Sequence, residues 1–212
     1  EGGWTNYSTA QGLSHSTVTC IVEDHERQIW IGTSQGLNRF AGGCFTRFGR
    51  ADGLLVEAIH SLFVDSAGAL WVGTSGGGLA RRWGDRFRSI TTQHGLVSDV
   101  IAQILEDDTG HLWLGSNGGI MRVARDELNQ CAEGTLATVL CDRYGQSEGL
   151  PRVECTGGYQ PACLKDRDRR LWFCTVGGLA VVDPTDIRRN TLEPPVFIEA
   201  VLRAGADGIQ FD

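Results

Sequence analysis

Four tryptophans recur in one local pattern, and that recurrence limits what the chain can fold into more than any other property it has. Asp24, Asp65, Asp107 and Asp166 each stand six residues before a tryptophan, at Trp30, Trp71, Trp113 and Trp172. A Gly-Leu pair lies upstream of each, beginning at Gly12, Gly53, Gly95 and Gly149. Gly to Trp is 18 residues in the first three copies and 23 in the fourth. A fixed period near 41 residues marks an array of one supersecondary unit.

The second copy shows that unit most clearly. Ala58–Val64 is a short run of apolar, β-branched and aromatic residues, the composition of a strand. Asp65-Ser-Ala-Gly68 follows as a turn, capped by the Asp side chain and closed by a glycine in the left-handed conformation. Ala69–Thr74, Leu79–Trp83 and Arg86–Thr91 read as three more strands, separated by Gly-rich turns. Four short antiparallel strands in about 41 residues make one blade of a β-propeller. Glycine, at 29 of 212 residues, is about twice its usual share, which suits tight turns and excludes helical repeats of similar length. No copy ends in Trp-Asp, so the WD40 pattern is excluded too.

The expected fold is therefore all-β: a β-propeller of four-stranded antiparallel blades, near 14–49, 56–91, 98–144 and 153–183. In it the tryptophans fill the wedge between neighbouring blades instead of stacking on a ligand. Gly32, Gly73 and Gly115 let backbones approach at a strand end, and the fourth copy has Cys174 there. Leu37, Leu79, Ile120 and Leu179 supply an inter-blade contact.

Two departures from the repeat stand out. About a dozen extra residues fall at Ala124–Thr138, where an Asp126 cap and a closing Gly134 predict a short helix between the third and fourth strands. Five extra residues fall around Pro151–Pro161 in the fourth copy. Long loops on a repeat scaffold either carry function or brace the scaffold locally. At the ends, Gly2-Gly3-Trp4-Thr-Asn-Tyr7 matches the fourth strand of the first copy, so a strand is expected at 4–9. The fourth copy breaks at Asp183-Pro184 without a fourth strand. Residues 4–9 could supply it; a longer propeller cut at this point is the preferred explanation of both ends. Pro194-Pro195 reads as a linker and Val196–Arg203 as the first strand of a following β-sandwich, which assigns 1–193 to blades and 194–212 to linker and sandwich.

A net charge of −7 and a pI near 5.2 argue against a nucleic-acid partner, which calls for a basic face. The clusters Arg81, Arg82, Arg86 and Arg167, Arg169, Arg170 are expected to be solvated. No initiator Met, export signal or apolar run near the ~18 residues of a membrane span is present, so membrane attachment is expected only through other parts of a parent protein. Seven cysteines show no metal-binding spacing; Cys131–Cys141 and Cys155–Cys163 are candidate disulfides.

At this point the residues resemble a known family. Gly12-Leu-Ser-His-Ser-Thr-Val18, Trp30-Ile-Gly-Thr-Ser-Gln-Gly-Leu-Asn-Arg39, Trp71–Arg81 and Trp113–Arg122 look like the two-component regulator propeller repeat. The resemblance covers roughly residues 1–190; the fourth copy departs from it at Cys174 and Val181 and looks like a terminal blade. It implies the periplasmic, extracytoplasmic sensor region of a membrane signal-transduction protein, a hybrid histidine kinase or a diguanylate cyclase. It also implies a small-molecule or oligosaccharide ligand and self-association of the parent ectodomain.

No catalytic set, cofactor or metal site is legible. His15, His25, His60, His94 and His111 share no ligand spacing. The acidic pairs Glu23-Asp24 and Glu106-Asp107 sit at turns. Asp107-x-Thr-Gly-x-x-Trp113 resembles the tryptophan-docking motif of quinoprotein dehydrogenases, but no metal or quinone ligands accompany it. Sialidase Asp boxes space Asp and Gly differently. Leu171-Trp-Phe-Cys-Thr175 resembles part of a streptogramin lyase, the alternative enzyme reading, and a non-binding dimerisation scaffold is a further alternative. For a sensor, the expected ligand face is built by the loops joining blades and those between second and third strands. Its candidates are Ser14, His15, Gln35, Glu57, Asp99, Asn117, Arg152, Glu154 and Gln160.

Overall fold

The computed structural model describes residues 3–150, 152–187, 202–205 and 208–211. The chain is a β-propeller of four blades. Blade 1 holds β1 (Val18–Glu23), β2 (Ile29–Thr33), β3 (Gly36–Ala41) and β4 (Cys44–Phe48). Blade 2 holds β5 (Ile59–Val64), β6 (Leu70–Thr74), β7 (Leu79–Trp83) and β8 (Arg86–Ile90). Blade 3 holds β9 (Gln103–Glu106), β10 (His111–Ser116), β11 (Gly119–Ala124) and β12 (Cys141–Tyr144). Each is a meander in strand order, antiparallel throughout. Blade 4 has three strands among the described residues, β13 (Cys163–Lys165), β14 (Leu171–Thr175) and β15 (Gly178–Val182). The helix predicted in the third copy forms as α1, Arg125–Glu133, closed by Gly134 at φ 79°. Of the expected linker and sandwich, only the hairpin β16 (Leu202–Gly205) and β17 (Gly208–Phe211) lies among the described residues.

The first hairpin of every blade is built on its aspartate. In blade 2 one oxygen of Asp65 accepts the amides of Ala67 and Ala69 at 3.0 and 2.8 Å. The other accepts the indole N–H of Trp71 at 2.8 Å. The same indole bond forms from Trp30 to Asp24 at 2.7 Å, from Trp113 to Asp107 at 2.8 Å and from Trp172 to Asp166 at 2.8 Å. A spacing of six residues thus does two jobs: it caps a turn and gives a buried indole its only polar need. Gly68 and Gly110 close two of these turns at φ 87° and 80°; Arg27 and Arg169 hold the same left-handed geometry at 63° and 66°.

The tryptophans of blades 1 to 3 pack forward into the next blade. Trp30 and Phe48 meet Phe87 of blade 2, with Leu54, Leu62 and Val72 around them. Trp71 shares a core with Leu96, Ile101, Ile104 and the helix residues Leu128 and Cys131. Trp113 meets Leu171 and Phe173 of blade 4. At the strand end a side chain on Gly73 would lie 2.6 Å from the Ile101 carbonyl of the next blade, so close approach requires glycine there.

Three expectations are corrected. Residues 4–9 form no strand; Ser8 and Gln11 instead cap a short 3₁₀ turn at Thr9–Gln11, and Tyr7 packs its ring on Phe40 and Phe45. All seven cysteines are free thiols. Burial pushes Cys20 and Cys155 up to about 11 and Cys163 to about 12, as befits packing groups with no thiolate character. The arginine clusters are not merely solvated: Arg82 lies 4.9 Å from the Trp30 ring, and Arg81 lies between Trp71 and Trp83.

Asp65→Ala is expected to lower stability by about 3 kcal/mol, since it orphans a buried indole N–H together with two turn amides. Asp65→Asn keeps one carbonyl acceptor but turns an amide N–H toward the donor at the other place, so it should recover only part of that loss; a loss near zero for either variant in urea denaturation would contradict the bonding scheme. Acid should act through Asp107. Burial opposes its ionisation, but bonds from Trp113, His111 and Thr109 outweigh burial and hold its carboxyl below the ordinary value. A depressed folded pKa stabilises the fold above the unfolded value, about 3.9, and that stability disappears as pH falls through the folded one. Asp107→Asn should therefore flatten the stability–pH curve below pH ~4, measured by denaturation at a series of pH values.

Candidate functional site

The segments that lead into the four blades are built on four equivalent turns. Each Gly-Leu pair follows a 3₁₀ turn: Thr9–Gln11, Arg50–Asp52, Thr92–His94 and Gln146–Glu148. The last residue of each turn reaches back to the amide before it. Gln11 takes Ser8 N–H at 2.9 Å, Asp52 takes Gly49 at 2.9 Å, His94 takes Thr91 at 3.1 Å and Glu148 takes Gly145 at 2.6 Å. The glycine then ends the turn with positive φ, and Leu13, Leu54 and Leu96 plunge into the core.

Several candidates serve this scaffold. Glu57 accepts the Arg50 amide at 3.1 Å; Asp99 accepts the Thr92 amide at 2.7 Å and its hydroxyl at 3.1 Å. Ser14 is tied to Thr33 at 2.7 Å and to the buried Asn38 at 2.8 Å. His15 accepts the Thr17 amide at 3.0 Å and meets the Ser34 hydroxyl at 2.7 Å. Asn117 accepts the Ser98 hydroxyl at 2.7 Å. Gln35 is exposed, as are Arg152 and Glu154, whose segment lies along the β14–β15 turn through the bond from Val176 N–H to the Glu154 carbonyl, 3.0 Å.

Three of the nine come together. Ser14, Gln35 and Glu57 line one open cavity of about 270 Å³, with Arg47, Arg50 and Asp52. His15, Asp99 and Asn117 do not line it. The equivalent corner of blade 3 forms a second cavity, about 370 Å³, lined by Arg143, Gln146, Ser147, Glu148 and Val153. Arg47 and Arg143 were missed in the sequence. Their signal was present in the parallel runs Arg47-Phe48-Gly49 and Arg143-Tyr144-Gly145, just before the turn. Arg47 donates to the carbonyls of Gly12 and Leu13, both at 2.7 Å, and Arg143 to that of Gly118 at 2.9 Å. These corners offer guanidinium, amide and carboxylate groups on fixed turns, which suits recognition of a polar, hydroxyl-bearing molecule.

Gln160 is elsewhere. Residues 152–161 of the fourth-copy insertion run across the inner strands of the other blades. Gln160 donates its amide to the Thr19 carbonyl of blade 1 at 3.1 Å and its side chain to the Leu62 carbonyl of blade 2 at 2.9 Å. The buried Gln103 of blade 3 donates to the carbonyls of Thr156 and Cys174. This loop braces the scaffold, one of the two roles open to it from sequence. Among the described residues no three His, Cys, Asp or Glu side chains gather as metal ligands, and no helix is long and apolar enough to cross a membrane.

Residues 12–35, 53–76 and 95–118 match the family model of the two component regulator propeller. The chain carries two-component regulator propeller repeats. Each matched segment runs from the Gly-Leu pair through the Asp–Trp hairpin, the two features that define a blade here. Among solved structures, the chain is similar to the extracellular domain of BT3049 from B. thetaiotaomicron, described as a hybrid two component system. Identity is 25% and the TM-score 0.77, over 95% of this chain and 26% of that one. It is also similar to the extracellular domain of BT4673 from the same organism, at 21% identity and TM-score 0.66, over 92% and 28%. Virginiamycin B lyase from Staphylococcus aureus shares the fold at 14% identity and TM-score 0.52, over 78% and 55%. The chain thus spans about a quarter of the length of the two extracellular domains it matches. No curated protein matches it in sequence.

Gln160→Ala removes the brace to Leu62 and leaves the Thr19 contact. It should lower stability by about 1 kcal/mol, read as a shift in the urea midpoint with unchanged slope.

Proposed function

We propose that this propeller is a non-enzymatic, extracytoplasmic sensor segment of a membrane signal-transduction protein, with a histidine kinase or diguanylate cyclase as output. Its ligand is a small polar molecule, with carbohydrate as the leading class. The supporting observation is the pairing of a repeat family and likeness to extracellular domains with a rigid, polar corner at Ser14, Gln35, Glu57, Arg47 and Asp52. Loops fixed by a packed scaffold are where such proteins place recognition groups. The lyase alternative has likeness of fold alone behind it.

Calorimetry with a panel of oligosaccharides tests this. Gln35→Ala and Arg47→Ala should each weaken binding of a responding sugar by roughly tenfold, about 1.4 kcal/mol. A sugar that binds with unchanged affinity to both variants would remove the ligand from this corner. Turnover of a cyclic depsipeptide with Mg²⁺ would replace the sensor by the lyase.

A further inference from the structure

The corner at Ser14 differs from its equivalents in one pair of residues. The first member follows Gly-Leu; the second follows Leu37, Leu79 or Ile120 on the third strand. The pair is Ser14 and Asn38 in blade 1, Leu55 and Ala80 in blade 2, and Val97 and Met121 in blade 3. Asn38, Ala80 and Met121 are all fully buried. An apolar pair therefore serves the fold at this place, and of these three blades only the first buries an amide there. A buried amide is costly unless its hydrogen bonds are met, and here they are met by Ser14.

The hydrogens of this pair are set by their partners. Asn38 Oδ1 accepts the Ser14 amide at 2.9 Å, which fixes the orientation of the side chain. Its Nδ2 then donates to the Ser14 hydroxyl at 2.8 Å and to the Ile31 carbonyl at 3.3 Å. Thr33 Oγ1 donates to the Gly36 carbonyl at 2.9 Å, as Thr74, Ser116 and Thr175 do to Gly78, Gly119 and Gly178 in the other blades. With that hydrogen spent, Ser14 is the donor in its 2.7 Å contact with Thr33. Ser14 Oγ keeps one free lone pair and no hydrogen. The position stays open even where a preceding blade stands beside it, since Leu55 is 51% exposed.

Taking this corner as the sensor's ligand site, we propose that Asn38 is a positioning residue. With Thr33 it holds Ser14 as a hydrogen-bond acceptor only, so the corner selects a ligand that brings a free hydroxyl donor to Ser14. Glu57 and Asp52, carboxylates on the same cavity, make the same demand. Arg47 spends its Nε and Nη2 on the carbonyls of Gly12 and Leu13, which leaves Gln35 and Arg50 to donate to the ligand's oxygens. The ligand class is a sugar or polyol with unsubstituted hydroxyls at this point. The same skeleton carrying an ether or ester there meets Ser14 without a hydrogen and is rejected.

Two measurements test this. Without ligand, the Ser14 hydroxyl proton should be visible by NMR, slow to exchange and with a cross-peak to Thr33. A freely exchanging hydroxyl without that cross-peak would overturn the proposal. Calorimetry then uses maltotriose, cellotriose and xylotriose, each free and permethylated. A free sugar should bind at least about tenfold more tightly than its permethylated form. The double variant Ser14→Val/Asn38→Met copies blade 3, where the Val97 amide donates to the Met121 sulfur at 3.3 Å. It should keep its urea midpoint and cut that ratio severalfold, and Ser14→Ala should cut the ratio in the same way. Equal binding of both forms, or a ratio that both variants leave intact, would overturn the proposal and leave the sensor standing. No binding of any of the three sugars, with the Ser14 proton protected, would instead strike the sugar reading and leave the acceptor at Ser14 supported.

Discussion

One hydrogen bond, from a buried indole N–H to the aspartate six residues earlier, is the constraint from which the rest of the propeller follows. Without it, burying a tryptophan at the blade interface would strand a donor, and the turn before it would lose its cap. With it, the hairpin and the inter-blade wedge are set by the same carboxylate. The order of the first two strands, the depth of the tryptophan and the angle at which the next blade packs are therefore linked, so copies can diverge elsewhere and still stack.

The fourth copy shows how far divergence goes. Blades 1 to 3 place an arginine from the third strand beside the tryptophan ring: Arg39, Arg81 and Arg122, at 5.8, 5.9 and 5.8 Å. Blade 4 has Val181 at that position, and Arg170 from the turn takes over at 5.7 Å while pairing with Asp166 at 2.9 Å. The cation is kept although its place in the sequence moves. Cys174 stands where the other blades need glycine.

The blade pattern was legible because its signals are local: a turn, a strand alternation and a fixed spacing. The helix at Arg125–Glu133 was legible for the same reason. Long-range events were not. Nothing near Gln160 says that it bonds to Thr19 and Leu62, more than ninety residues away. Nor does the fourth-strand pattern at Trp4–Tyr7 reveal that a strand without a partner stays unpaired. Of the candidate residues, loop position in the repeat was enough to bring Ser14, Gln35 and Glu57 to one cavity, but it did not show that Glu57 and Asp99 cap turns or that the arginines lining the corners lie on strands.

The loop that carries Gln160 changes how the array holds together. In a stack where each repeat touches only its neighbours, stability is a sum of nearest-neighbour terms and the end units fray first. Here the loop entering blade 4 also grips the inner strands of blades 1 and 2, so these four blades are not coupled through nearest neighbours alone. Opening blade 4 releases contacts on blade 1, and the four repeats are bound to lose order as a single cooperative body instead of peeling away one at a time.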